Sequence, residues 1–290
     1  RYQAIAYLKP EAANGLYDNA ETISRSLAGI RKNGLVKRLE SSFHAFQVSI
    51  ANFKQANQNM IDMFNNNKVF IAPDLDINNL LVAGWSEEEI EEKLNTKAQE
   101  NPKNATFAAE DFSPEFIEML QADQAILEQM CDEWSGVTDD DDSKFSKFNE
   151  LLKHELFKAD RNPEQKLVVF SESVDTVEYL AKRINRKDVL VISAKNRSNL
   201  FKIIRENFDA NFKNQLNDYN IILTTDVLAE GINLHRSNVI VNYDTPWNST
   251  RLMQRIGRVN RIGSVSKHIY NYVFYPSREG NREINLNQIA

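Results

Sequence analysis

Four short apolar runs recur in the second half of the chain, each set apart from the next by a stretch with helical periodicity. That alternation restricts the possible folds more than any other feature. The runs cover residues 167–170, 189–192, 221–223 and 239–241, and a fifth, more mixed run covers 269–274. Each of the four is β-rich and apolar throughout, as expected for strands buried on both faces. Helices are predicted over 174–184, 199–212 and 251–259. Strand and helix alternating at this spacing imply an α/β domain, a parallel sheet with helices on both faces. In such sheets ligands sit beyond the carboxyl ends of the strands.

The first 160 residues read differently. From Glu21 to Phe64 apolar residues recur in steps of three and four, including Ile23, Leu27, Ile30, Leu39, Phe43, Phe46, Ile50 and Phe53. This is a helical stripe, with a break expected at Gly34 and an end at Asn65–Asn67. Ser86 followed by Glu89 reads as a capping box opening a very acidic helix. The polar stretch from Asn95 to Asn104 is expected to be a flexible insertion. A further helix is expected from Ser113-Pro114, with Phe116, Ile117, Leu120, Leu127, Met130 and Trp134 inward, and another from Phe145 to Phe157. The expected organisation is a helical region over 1–160 with an acidic insertion near 65–110, an α/β domain over 161–277, and a polar peripheral tail over 278–290.

The net charge of −6 hides an asymmetry. From Leu167 to Ala290 there are 17 basic and 12 acidic residues, while the remainder holds 18 and 29. The α/β part is therefore free to meet phosphates. The acidic runs Glu87–Glu92 and Asp139–Asp142 read as solvated surface. A lone cysteine, Cys131, and four scattered histidines exclude an internal disulfide framework and give no metal site. No apolar run approaches the ~18 residues a membrane span needs. The chain opens at Arg1 without a targeting leader, so the expected location is cytoplasmic and the expected chain is a piece of something longer.

Two segments just beyond strand ends carry candidate chemistry. Thr224 to Leu234 places hydroxyls and an acid after the third run, with Gly231 where a backbone could approach a phosphodiester; an ordinary helix cap would use the same residues. Gln254 to Arg261 spaces Arg255, Arg258 and Arg261 by three. Guanidinium forks suit phosphate oxygens, and a solvated basic helix is the alternative.

In this order and at this distance, the segments resemble the second RecA-like domain of superfamily 2 helicases and translocases. Val168-Val169-Phe170-Ser171 resembles motif IV, Thr224 to Leu234 motif V, and Gln254 to Arg261 the QxxGRxxR pattern of motif VI. Asn242-Tyr243-Asp244-Thr245-Pro246-Trp247-Asn248 and Lys37 to Phe46 are similar to bacterial SWI/SNF-type helicase-like ATPases. Residues 65 to 135 match no known pattern.

The resemblance implies a fold and a division of labour. ATP with Mg²⁺ binds between two RecA-like domains, and the second supplies arginines across the cleft. By position these are Arg258 and Arg261, with Arg261 as the finger that stabilises charge on the transferring phosphoryl group. Gln254, Gly231, Asn233 and Arg255 would lie at the nucleotide, Asn233 standing where many relatives carry Asp. Thr225, Thr224 and Ser171 would touch the nucleic-acid backbone, with Gly231 also close to it. The implied partners are DNA, double-stranded by the Pro246-Trp247-Asn248 segment, and an N-terminal RecA-like domain. No GxxxxGK[ST] phosphate loop occurs in the 290 residues. Asp132-Glu133-Trp134-Ser135 lies in a helical pattern and is not an acidic Mg²⁺ box. The isolated chain is therefore expected to be inactive. An RNA helicase of the same superfamily and a non-catalytic binding module stay open as alternatives.

Overall fold

The computed structural model describes residues 2–13, 15, 17, 32–228, 231–246 and 248–284. The expected stripe residues Ile23, Leu27 and Ile30, together with Ala229, Glu230 and Trp247, lie outside them. Among the described residues no helix is long and apolar enough to cross a membrane. Short helices α1 (Tyr2–Ala6) and α2 (Pro10–Ala13) come first, then helix α3 (residues 32–41) and the long α4 (Phe43–Asn65). The break between α3 and α4 falls at Ser42, not at Gly34. The Ser42 hydroxyl accepts the Ala45 N–H at 3.1 Å, an N-cap contact, whereas Gly34 sits exposed inside α3. The chain divides into two compact units, 1–32 with 49–136 and 33–48 with 137–290.

The first unit contains a two-stranded antiparallel sheet, β1 (Val69–Ile71) with β2 (Ala105–Phe107). Helices α5 (Ile77–Val82), α6 (Glu87–Glu100) and α7 (Glu115–Ser135) complete it. Val69, Ile71 and Phe107 pack with Ile61, Phe112, Phe116 and Leu120, while Phe70 turns to Ile77, Ile90 and Leu94. The Ser86–Glu89 capping box is present. The stretch 95–104 is ordered: α6 runs to Glu100, and the Asn101 and Asn104 amides donate to the Asp74 carboxylate at 2.8 and 2.7 Å. Asn104 is buried, so an asparagine-rich stretch here serves as an internal hydrogen-bonding plug. On α7 only Phe116 and Leu120 are fully buried, and residues 132–135 form its last turn.

The second unit is built on five parallel strands, β3 (Leu167–Phe170), β4 (Val189–Ile192), β5 (Ile221–Thr224), β6 (Val239–Asn242) and β7 (Tyr270–Val273). Their order is β4-β5-β3-β6-β7, so β5, β3 and β6 are central. All residues of these three are buried, which accounts for their unbroken apolar sequence. Alternate residues point to opposite faces. Leu167, Val169, Leu223 and Val241 meet α8 (Ser143–His154) and α9 (Val174–Ile184), while Val168, Phe170, Ile222 and Ile240 meet α10 (Arg197–Phe208) and Val259 of α11 (Ser249–Val259). This is the expected RecA-like sheet flanked by helices, preceded by a mostly helical region.

The unit is larger than the expected 161–277, because α8 presents Phe145, Phe148 and Leu152 to the strands. Asp142 is its N-cap, accepting the Phe145 N–H at 2.9 Å, and is buried, unlike the solvated surface residue expected from the aspartate run. Residues 278–284 of the expected tail form helix α12 (Arg278–Ile284), and the Ser277 N–H before it donates to the Glu40 carboxylate at 2.7 Å. Phe148 is fully buried and meets the Tyr243 ring edge-on at 5.5 Å. Phe148→Ala should destabilise this unit by about 3–5 kcal/mol. Urea unfolding followed by circular dichroism checks this, and a loss below ~1 kcal/mol would mean that α8 is not part of the core.

Candidate functional site

The carboxyl ends of β3, β5 and β6 stand side by side, so Ser171, Thr225–Asp226 and Asn242–Asp244 gather at one edge of the sheet. Helix α11 starts there. Asn248 caps it by accepting the Arg251 N–H at 3.3 Å, and buried Arg255 and Val259, one turn apart, face the sheet.

Arg255 is fully buried. Its Nε donates to Asp226 Oδ1 at 2.6 Å and its Nη1 to Asn242 Oδ1 at 3.0 Å, and the guanidinium lies over the Phe170 ring at 5.2 Å. It thus ties α11 to three strand ends. Arg255, expected at the nucleotide, is enclosed in this chain and acts as an internal clamp. Two further expected site residues are enclosed in the same way. Thr224 is fully buried and its hydroxyl donates to the Ile192 carbonyl at 3.2 Å, across the β4–β5 pair. Ser171 is fully buried and its hydroxyl donates to the Asp244 carboxylate. Both hydroxyls are engaged inside the protein.

The remaining expected residues are accessible. Thr225 is half-buried at the end of β5, and Gly231 is exposed with φ +83°, a conformation that favours glycine. A Cβ there would also stand 3.0 Å from Arg197 Nη2. Gln254 and Arg258 are half-buried on α11, and Arg261 follows its C-cap, Asn260. Arg261 is exposed, yet held: its Nε donates to the Gly257 carbonyl at 3.1 Å and its Nη1 to the Asn233 side-chain oxygen. The two segments singled out in the sequence are therefore joined by Asp226–Arg255 inside, by the Leu234 N–H donating to the Arg258 carbonyl at 2.9 Å, and by Asn233–Arg261 at the surface.

Several residues of the site were not singled out in the sequence. Asp244 is buried and accepts from Lys144 Nζ at 2.9 Å, Ser41 Oγ at 2.9 Å and the Glu172 N–H at 3.0 Å, besides Ser171. Burial pushes this carboxyl up, but the Lys144 ammonium, the Ser171 hydroxyl and the Glu172 N–H outweigh it and hold it below the ordinary value. Arg251 Nη1 donates to Asp226 Oδ2 at 3.2 Å, so Asp226 serves two arginines. Asp226 was legible as part of its segment. Ser41 and Asp244, 203 residues apart, lay in the two segments resembling the SWI/SNF-type group but were given no role there, and Lys144, 100 residues from Asp244, had no signal.

Residues 143–263 match the family described as the helicase conserved C-terminal domain. Over these residues the chain is similar to helicase C-terminal domains. One relative, the uncharacterized ATP-dependent helicase YqhH of Bacillus subtilis (strain 168), is 50% identical over 52 residues, 18% of this chain and 9% of its own length. A second, named probable eukaryotic initiation factor 4A, from Trypanosoma cruzi (strain CL Brener), is 32% identical over 117 residues, 40% of this chain and 28% of its own. The chain thus spans less than a third of either relative. A solved structure of the C-terminal part of the Fun30 ATPase domain aligns with 71% of this chain and 66% of its own at a TM-score of 0.40 and 17% identity.

Gln254, Arg258 and Arg261 bring one amide and two guanidinium groups to α11 and the residues just after it, chemistry that suits an anion. Among the described residues no group of three or more His, Cys, Asp or Glu is arranged to hold a metal ion. The domain's acid stability follows from Asp244. A carboxyl held lower in the folded than in the unfolded chain contributes stability above about pH 4 that is lost as the pH falls through its folded value. Lys144→Gln leaves burial to dominate, so the loss should begin at higher pH. Acid unfolding from pH 7 to pH 2, read by circular dichroism, compares the two, and coincident curves would refute the assignment.

Proposed function

We propose that this chain is the C-terminal half of an ATP-dependent helicase or double-stranded DNA translocase, completed by an N-terminal RecA-like domain that carries the phosphate loop and binds most of the ATP and its Mg²⁺. The observation that carries the reading is the paired arrangement of Arg258 and Arg261 on and just beyond an α11 locked from inside by Arg255. An exposed guanidinium already held by Asn233 and Gly257 needs little reorganisation to meet a phosphoryl group. Arg261 acts as the finger and Arg258 assists it. Gln254 lies by the nucleotide, and Asn233 holds Arg261 in place. Thr225 and Gly231 offer a hydroxyl and a bare backbone to a phosphodiester, giving binding that is independent of sequence and weakened by salt. The working location is cytoplasmic.

A second reading, an RNA helicase, is favoured by the initiation factor 4A relative and by a relative from Dictyostelium discoideum named probable ATP-dependent RNA helicase ddx51, 30% identical over 120 residues. The segment resembling the bacterial SWI/SNF-type group supports the first.

The isolated chain should hydrolyse no ATP. A longer protein in which this chain follows a phosphate-loop domain should do so, and Arg261→Ala should lower its kcat by ~100-fold or more, within the range an arginine finger contributes. Turnover is measured with duplex DNA, single-stranded DNA, RNA and no nucleic acid. Duplex stimulation supports the translocase, stimulation by RNA alone the second reading, and turnover indifferent to Arg261 would overturn the finger assignment.

A further inference from the structure

The edge of the sheet holds one carboxylate that the proposed chemistry does not use. Glu172 lies two residues beyond β3. Its backbone N–H is fixed on buried Asp244 at 3.0 Å, and its half-buried side chain turns toward α11, where Arg251 Nη1 lies 3.7 Å from its Oε1. The same guanidinium reaches Asp226, and Asp226 in turn holds Arg255. Glu172, Arg251, Asp226 and Arg255 therefore form one continuous chain of charge from the end of β3 to the middle of the arginine helix.

On its other side Glu172 shares with Lys37 of α3 the wall of a cavity of about 210 Å³, which Arg38, Ser41, Lys144 and Asp244 also line. Burial pulls the Lys37 ammonium down to about 7, the Glu172 carboxylate raises it, and Arg251 lowers it. Burial pushes the Glu172 carboxyl up, against Arg255 and Lys37. Three cations, one from α3 and two from α11, thus take a common reference in one carboxylate. Removing it leaves Arg251 with Asp226 alone, and Lys37 facing Arg251 with less counter-charge.

We propose that Glu172 is a positioning residue for the arginine helix: it ties α3 to α11 through Lys37 and Arg251, and so steadies the Asp226–Arg255 clamp that aims Arg258 and Arg261. The inference rests on the reading of those two arginines given above. A group acting this way changes how often the arginines are aligned, not how ATP is bound. Its loss therefore appears in kcat and leaves KM in place.

The test has two arms. On the 290-residue chain, lysine side-chain NMR titration and amide hydrogen exchange compare the wild type with Glu172→Gln, Glu172→Asp and Arg251→Gln. Lys37 should lose its proton at lower pH in Glu172→Gln and at higher pH in Arg251→Gln. Amides of 255–261 should exchange ~10-fold faster in Glu172→Gln while those of β3, β5 and β6 hold, and Glu172→Asp should recover most of the protection. A Lys37 titration that ignores both substitutions, or an arginine helix whose exchange ignores them, overturns the proposal. Should Glu172→Gln fail to fold, Arg251→Gln, at a half-exposed side chain, reads the same link. In the longer protein, Glu172→Gln should lower nucleic-acid-stimulated kcat ~10-fold with KM for ATP within about twofold, and an unchanged kcat counts against the proposal. If the wild-type longer protein turns over no ATP, the helicase reading fails, and the titration and exchange alone decide the role of Glu172.

Discussion

One buried carboxylate, Asp244, holds the working edge of this domain together. It sits just beyond β6 and receives hydrogen bonds from a lysine of α8, a serine of α3, a serine at the end of β3 and a main-chain N–H. A buried charge is costly unless every lone pair is met, and here four donors meet two oxygens. Because those donors come from three separate segments of the chain, none can shift without leaving the carboxylate short. Lys144 is bound further by the Glu40 carbonyl at 2.7 Å and lies over the Tyr243 ring at 4.4 Å. The polar hub thereby continues into the aromatic packing beneath it.

A second arrangement, built on Asp226, stands beside the first and faces α11. The two are linked through Glu172, whose backbone belongs to one and whose side chain belongs to the other. The division of the three motif arginines follows from helix geometry. Arg255 faces the sheet and is spent on structure, while Arg258 is half-buried and Arg261, held by Gly257 and Asn233, is exposed. An apolar neighbour at i+4, Val259, marks the inward face, since residues four apart share one side of a helix.

That neighbour was in the sequence, and it shows where reading from sequence stopped. The strands and the helices between them were legible because burial on both faces leaves unbroken apolar runs, and periods of 2 and 3.6 do not mix. The accessible part of the site was legible from residue types suited to phosphate. The enclosure of Thr224, Ser171 and Arg255 was not legible because the same types satisfy buried polar groups, and type alone does not tell the two uses apart. The attachment of α8 to the sheet was missed for a related reason. Periodicity says that a helix has an apolar face, not what covers it. The Asn101–Asn104 stretch looked flexible by composition, yet a single acceptor, Asp74, orders it.

The pairing of Ser41 with Asp244 also sets a timetable. Between them lie 203 residues, and at ribosomal rates of ~5–20 residues per second Ser41 is made some ~10–40 s before its acceptor exists. Over the same interval residues 49–136 are complete and free to fold on local contacts. Helix α3 must wait, its serines and Lys37 without the sheet edge they are built to meet. Closing so long a loop comes late, after the strands have paired, because its entropy is repaid only by contacts at the far end. This edge of the sheet is therefore complete only when chain segments 203 residues apart have met.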